Sequence, residues 1–156
     1  MRLKMSLKNI KNLILVVFLG FLLTACATSS RKPGKDYYTG SDTVKFLASG
    51  VPDRVFFATN RSSLHSGAKG TLNKQAAYIK SSGISVVVEG HADERGTREY
   101  NLALGERRAN AVKDYLMSQG VASSKITVIS YGKERPVNPE SSRLAWSQNR
   151  LSLIHI

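Results

Sequence analysis

The chain has 156 residues and a formal net charge of +12, so it can hold one ordinary domain plus a leader, and its charge suits an acidic polymer, a nucleic acid or an anionic lipid surface as partner. A single cysteine excludes an intramolecular disulfide and a zinc site built from thiolates. The cations are spread over several predicted elements and no aromatic side chains alternate with them, which argues against nucleic acid as the partner.

Residues 1–25 have the layout of a secretory signal peptide. Cations precede an apolar run from Leu13 to Leu23, which is too short for a spanning helix of about 20 apolar residues. Leu23 to Cys26 resembles the lipobox of bacterial lipoprotein precursors, so we expect Cys26 to become a lipidated N-terminus. Ala27 is not the Asp that retains such proteins in the inner membrane, which favours the outer membrane. The alternative is an uncleaved anchor with an incidental cysteine.

Residues 26–43 are rich in Ser, Thr, Lys, Gly and Pro without a period, which predicts a flexible tether. The remaining residues, 44–156, form the predicted domain. Val44 to Ala48 is expected to be a short helical or irregular lead-in. Arg54 to Ala58 reads as the first strand.

Strands and helices then alternate along the chain. A helix is predicted over Ser66–Ser81, with Gly83 as its stop, and Val86 to Val88 reads as a strand buried on both faces. A second helix follows, capped by Thr97 and stopped by Gly120. Further strands are predicted over 126–131 and from Asn149 and Arg150 onward. Such alternation implies parallel crossovers and an α/β layer of helices packed on a sheet.

Polar residues converge where the Val86 strand ends and the second helix begins. The loop carries Asp93 and Arg95, and helical spacing places Asn101 and Arg108 on one line, with Gly105 expected to keep that line open. A carboxylate near a guanidinium suits a ligand that bears both an ammonium and a carboxylate. The alternative is an ordinary solvated helix face.

The string EGHADERGTREYNLALGERRANAVKDYL, together with the later SYGKERP, resembles the signature of the OmpA-like peptidoglycan-binding domain family. These residues are most similar to the peptidoglycan-associated lipoprotein branch of that family. The resemblance covers roughly residues 54–150 and departs from the family pattern after Arg150. It implies an α+β sandwich of βαβαβ type with helices packed on a small mixed sheet.

The resemblance also implies a function, which is non-covalent binding of peptidoglycan. Asp93 and Arg108 match the positions that hold meso-diaminopimelate of the stem peptide, and Arg95 and Asn101 match positions that line the pocket. Asn60 stands where many relatives carry an acid, so Asp93 is expected to supply most of the attraction for an ammonium. The implied partners are the Tol system, especially TolB, and outer-membrane lipid, with roles in envelope integrity and cell division.

Catalysis and metal binding find little support in the sequence. His91, Asp93 and Glu94 are metal-ligand types, but no second histidine lies nearby, and no nucleophile motif is present. We therefore expect no enzyme activity, metal or cofactor. The alternatives are a flagellar stator anchor of the B type, whose spanning helix would carry an acid that Leu13 to Leu23 lacks, and a metal-dependent wall hydrolase.

Overall fold

The structure is a computed structural model that describes residues 44–156. The predicted signal peptide, the tether and Cys26 lie outside the described residues. Six strands and three α-helices are present in the described range. They are β1 (Phe46–Ala48), β2 (Val51–Pro52), β3 (Arg54–Phe56), α1 (Ser66–Ser82), β4 (Val86–His91), α2 (Arg98–Ser118), β5 (Ile126–Gly132), α3 (Arg143–Asn149) and β6 (Leu151–His155), with a short 3-10 turn at Ser123–Lys125 before β5.

The main sheet has four strands in the order β3-β6-β4-β5. Strands β4 and β5 are parallel, as expected for a crossover through α2, whereas β6 runs antiparallel to both β3 and β4. The small mixed sheet implied by the family resemblance is therefore confirmed. The final segment of the chain forms β6, a central strand of this sheet.

The segment before the first predicted strand differs from expectation. Phe46–Ala48 is neither helical nor irregular, because it pairs with Val51–Pro52 as a short antiparallel hairpin. The turn between them contains Gly50, whose positive φ of 72° suits a glycine. The side chain of Asp53 also binds the backbone of this hairpin at Lys45. A three-residue strand offers too short a pattern to be recognised in sequence.

Helix ends follow the capping residues. His65 caps α1 by accepting a hydrogen bond from the amide of Ala68, and α1 ends at Gly83, which adopts the left-handed conformation as predicted. Thr97 caps α2 through the amide of Tyr100. No helix in residues 44–156 is long and apolar enough to cross a membrane.

Helices α1 and α2 cover one face of the sheet, where the main core lies. Val86 and Val88 point into this core, but Val87 is only half-buried on the opposite face, so the prediction of a strand buried on both faces was wrong at Val87. A smaller apolar cluster on that second face is formed by Phe56, Leu151 and Leu153.

Two glycines bring α2 against β4. A Cβ on Gly105 would lie 2.8 Å from the carbonyl oxygen of Gly90 and would also collide with the Ser130 hydroxyl. The space beside Gly105 is thus filled by protein, and the prediction that this glycine keeps a line open between Asn101 and Arg108 was wrong. Its function is to let helix and strand touch by their backbones.

We expect Gly105→Ala to destabilise the domain by about 2 kcal/mol or more, because a methyl group has no room without moving α2 off the sheet. Gly70→Ala is the matched control, since Gly70 lies in α1 with open space around it and alanine favours a helix by about 1 kcal/mol. Thermal unfolding should give opposite signs for the two variants. Equal melting temperatures would contradict the close contact.

Candidate functional site

Asp93 lies in the loop between β4 and α2 and is bound by arginines. Its carboxylate is buried and receives two hydrogen bonds from the Arg95 side chain, Nε to Oδ1 at 3.0 Å and Nη2 to Oδ2 at 2.7 Å. Arg150 Nη1 lies 3.5 Å from Oδ2. Burial alone would raise the pKa of Asp93, but the hydrogen bonds and charge of Arg95 outweigh it and hold the pKa below its usual value. Asp93 is therefore an ionised carboxylate at neutral pH.

Arg95 is the exposed member of this pair. The side chain retains 42% of its exposure, and the guanidinium carbon lies 4.5 Å from the ring centre of Trp146. Trp146 Nε1 donates to Glu94 Oε1 at 2.7 Å, and the Ser141 hydroxyl donates to the same oxygen. Arg95 is thus fixed between a carboxylate and an aromatic face that is itself held in place.

Arg108 is fully buried and binds backbone. Its Nε, Nη1 and Nη2 donate to the carbonyl oxygens of Arg61, His91 and Ala58 at 2.9, 2.7 and 3.1 Å. Burial, with a smaller contribution from the nearby Arg150, lowers the pKa of Arg108 to about 10, so it stays charged at neutral pH. Three of the five N–H groups of the guanidinium are thereby used to join the loop after β3 to the end of β4.

Asn101 and Asn60 complete the predicted set. Asn101 is buried on α2, and its amide donates to the carbonyl oxygen of Arg95 at 2.8 Å, which holds the Asp93 loop on the helix. Asn60 has a φ of 54°, a conformation that Asn tolerates better than most residues. It lines a shallow groove of about 230 Å³ with Thr59, Arg95, Gly96 and Tyr100.

The structure thus brings the five predicted residues together through different contacts. Asp93, Arg95 and Asn101 form one connected group of hydrogen bonds. Asn60 lines the groove together with Arg95. Arg108 links the loop after β3 to the end of β4. A role of each in binding a ligand stays a prediction.

Residues on α3 were missed by sequence reasoning. Arg143 and Trp146 of α3, and Arg150 at its C-terminal end, line a second cleft of about 370 Å³ with Thr59 and Arg95. Their i, i+3, i+7 spacing would place them on one helix face. That spacing was the available signal, but a helix of seven residues gives too little pattern to be predicted.

The three residues considered as metal ligands bind separate partners. His91 Nδ1 lies 3.1 Å from the carbonyl oxygen of Arg135, Asp93 binds Arg95, and Glu94 binds the indole described above. Within residues 44–156, no group of three or more His, Cys, Asp or Glu side chains is arranged to hold a metal ion.

His91 makes the stability of the site depend on pH. Burial lowers its pKa below the usual 6.5, although Glu89 acts in the opposite direction. The unfolded chain therefore binds a proton at a higher pH than the folded domain, so stability should fall as the pH drops below about 6.5. His91→Asn can keep the donor to Arg135 without titrating. We expect its melting temperature to change less between about pH 7.5 and 5.5 than that of the wild type. Parallel curves would contradict this assignment.

Comparison with known proteins identifies the family to which the chain belongs. A model of the OmpA family matches residues 56–150. The chain is 43% identical over 149 residues to a peptidoglycan-associated lipoprotein of Mesorhizobium japonicum, covering 90% of this chain and 89% of that protein. It is 42% identical over 147 residues to one of Agrobacterium fabrum, covering 88% and 82%. The crystal structure of the peptidoglycan-associated lipoprotein from Burkholderia pseudomallei aligns with a TM-score of 0.63 and 37% identity, covering 65% of this chain and 87% of that one. The chain belongs to the OmpA family, among its peptidoglycan-associated lipoproteins.

Proposed function

We propose that this protein is an outer-membrane lipoprotein whose periplasmic domain binds peptidoglycan without covalent chemistry. The observation that supports the proposal most is the pair formed by a buried, ionised Asp93 and a partly exposed Arg95 at the edge of a groove. The names of the relatives above support peptidoglycan as the polymer. Meso-diaminopimelate of the stem peptide is the proposed ligand, because its free end carries an ammonium and a carboxylate on one carbon.

The pair offers a route for such a ligand to enter. The ammonium takes the place of Arg95 on Asp93, and the guanidinium released from Asp93 receives the carboxylate of the ligand. One ion pair inside the protein is thereby replaced by two between protein and ligand. A ligand with an ammonium alone would break the internal pair without supplying a partner for Arg95, which disfavours it.

The remaining residues of the predicted set keep this pair in position. Asn101 holds the backbone of Arg95, and Arg108 fixes the carbonyl groups of Ala58 and His91 on either side. Arg108 is therefore a positioning residue in the geometry described. Asn60, at the rim of the groove, supplies amide donors and acceptors to the ligand without adding charge.

The proposal also accounts for a link between the outer membrane and the cell wall. In the proposal, acyl chains on Cys26 insert into the outer membrane, residues 26–43 span the gap, and the domain grips the wall. Membership in the peptidoglycan-associated lipoprotein group supports a partnership with the Tol system, including TolB, and a role in envelope constriction at division. The proposed activity is binding, and no chemical step is assigned to any residue.

Asp93→Asn tests the ligand site. The change removes the charge that attracts the ammonium, and losing one partner of a buried charge pair costs about 2 to 5 kcal/mol of binding, so retention on purified cell-wall sacculi should fall at least about tenfold. Asp114→Asn is the matched control, because Asp114 is exposed farther along α2 and the chemical change is identical.

Thermal unfolding should show that both variants fold before their binding is compared. Arg108→Ala is a poorer test, because removing the buried guanidinium would leave three backbone carbonyl groups without their donor and would destabilise the domain. A folded Asp93→Asn variant that is retained like the wild type would refute the site.

Cys26→Ser tests the anchor. In a Gram-negative host, we expect mass spectrometry of the membrane-extracted wild type to find an N-terminus at Cys26 bearing three acyl chains. The serine variant lacks the thiol that accepts the lipid, so it should keep residues 1–25 and take up no labelled palmitate. A wild-type protein that begins elsewhere, or that carries no acyl group, would exclude this mode of anchoring.

A further inference from the structure

A second cleft lies on the other side of Arg95 from the groove at Asn60. It measures about 370 Å³, and its lining includes three arginines, Arg95, Arg143 and Arg150. The groove and the cleft share Thr59 and Arg95 as a common wall. A ligand seated on Asp93 can therefore extend into the cleft.

The cleft carries uncompensated positive charge. Three cations line it, against two carboxylates nearby: Asp93, which pairs with Arg95 and Arg150, and Glu94, which accepts from Trp146. One positive charge is left in excess. The side chain of Arg143 is exposed and forms no ion pair or hydrogen bond with any other residue in the range 44–156. Cations concentrated on the walls of a concave surface attract an anionic group.

One of the cations is held rigidly in place. Arg150 is buried, and its Nε donates to the carbonyl oxygen of Phe57 at 3.1 Å. Arg95 leaves Asp93 when the zwitterion binds and takes its carboxylate, so Arg150 and Arg143 are the donors left for a second carboxylate. Donors that are already oriented lose less conformational entropy when a ligand binds. The third, Arg143, begins α3 at the mouth of the cleft.

We propose that this cleft is a second subsite of the same binding surface and that it takes a carboxylate on the residue next to the gripped zwitterion. The free C-terminus of an uncross-linked stem peptide has this chemistry. The planar guanidinium fork matches a carboxylate with two parallel hydrogen bonds. The inference rests on the proposed function, and it adds a preference for peptides with a free terminal carboxylate over amidated or cross-linked ones.

The test uses two synthetic stem peptides in which meso-diaminopimelate is followed by a C-terminal D-alanine, one a free acid and the other its amide. Calorimetric titration of the full chain in detergent should show that the wild type prefers the acid by about tenfold, as expected for one charge-assisted contact. The preference should shrink as salt is raised, because the cleft is open to solvent.

Arg143→Gln should reduce the preference for the acid to about twofold or less and leave the affinity for the amide unchanged. Lys74→Gln is the matched control, since Lys74 is exposed on α1 and the charge change is the same. Lys74→Gln should keep the wild-type preference for the acid. That result would show that the loss in Arg143→Gln comes from a local contact and not from the change in net charge. An unchanged preference in Arg143→Gln, or an equal loss in Lys74→Gln, would overturn the subsite.

The two proposals fail in different ways. If the wild type binds acid and amide equally while Asp93→Asn weakens both, the carboxylate subsite is refuted and the ligand site at Asp93 stands. If neither peptide binds the wild type, or if Asp93→Asn binds both like the wild type, the proposed function is refuted and the subsite with it.

Discussion

The site depends on a buried guanidinium whose hydrogen bonds all go to backbone carbonyl groups. Arg108 reaches from the middle of α2 to carbonyl groups on the loop after β3 and at the end of β4. A guanidinium carries five N–H donors, so this one side chain reaches three acceptors where a hydroxyl or an amide would reach fewer. The burial opposes the charge, as the lowered pKa shows, and the hydrogen bonds to three dipoles offset that cost.

This link can form only because the helix lies very close to the sheet. Gly105 and Gly90 touch through their backbones, which brings α2 close to β4. The Arg108 side chain, one turn farther along α2, then reaches the carbonyl oxygen of His91 at the end of β4. Close packing at the glycines and the polar link at Arg108 are thus two parts of one arrangement. The glycine contact and the Arg108 hydrogen bonds together fix the position of α2 and β4, which the Asp93 loop connects.

The sequence predicted most of the fold because its signals are local. The caps at Thr97 and Gly83 act on neighbouring amides and carbonyl groups, so both were confirmed. The hairpin at Phe46–Ala48 was missed because its pairing depends on a strand of two residues. The place of Arg108 on the same helix line as Asn101 was predicted, but the atoms that it binds lie 17 to 50 residues away and could not be read from spacing.

The same limit explains what was missed at the site. Asp93 and Arg95 are two residues apart, so their convergence follows from the loop, whereas Arg143, Trp146 and Arg150 reach the site through the fold of the whole sheet. The chemistry of Arg108 was inferred from its type and its place on the helix. The Arg108 guanidinium is already bound to backbone carbonyl groups. The expected contact with a ligand carboxylate is therefore assigned to Arg95, whose side chain is closer to solvent.

The proposed exchange of the Asp93–Arg95 pair with a ligand fits the proposed role as a tethered wall binder. In the free protein Asp93 is already paired, so binding replaces one set of charge contacts by another, and the net gain per site is smaller than the sum of the new contacts. In the proposed function, modest affinity at each stem peptide would still give firm attachment, because a lipid anchor at Cys26 and the predicted tether over residues 26–43 would keep the domain near a polymer with many copies of the ligand, so that rebinding is fast. In the same proposal, modest affinity would let the domain move from one stem peptide to the next as the envelope grows, which a very tight site would prevent.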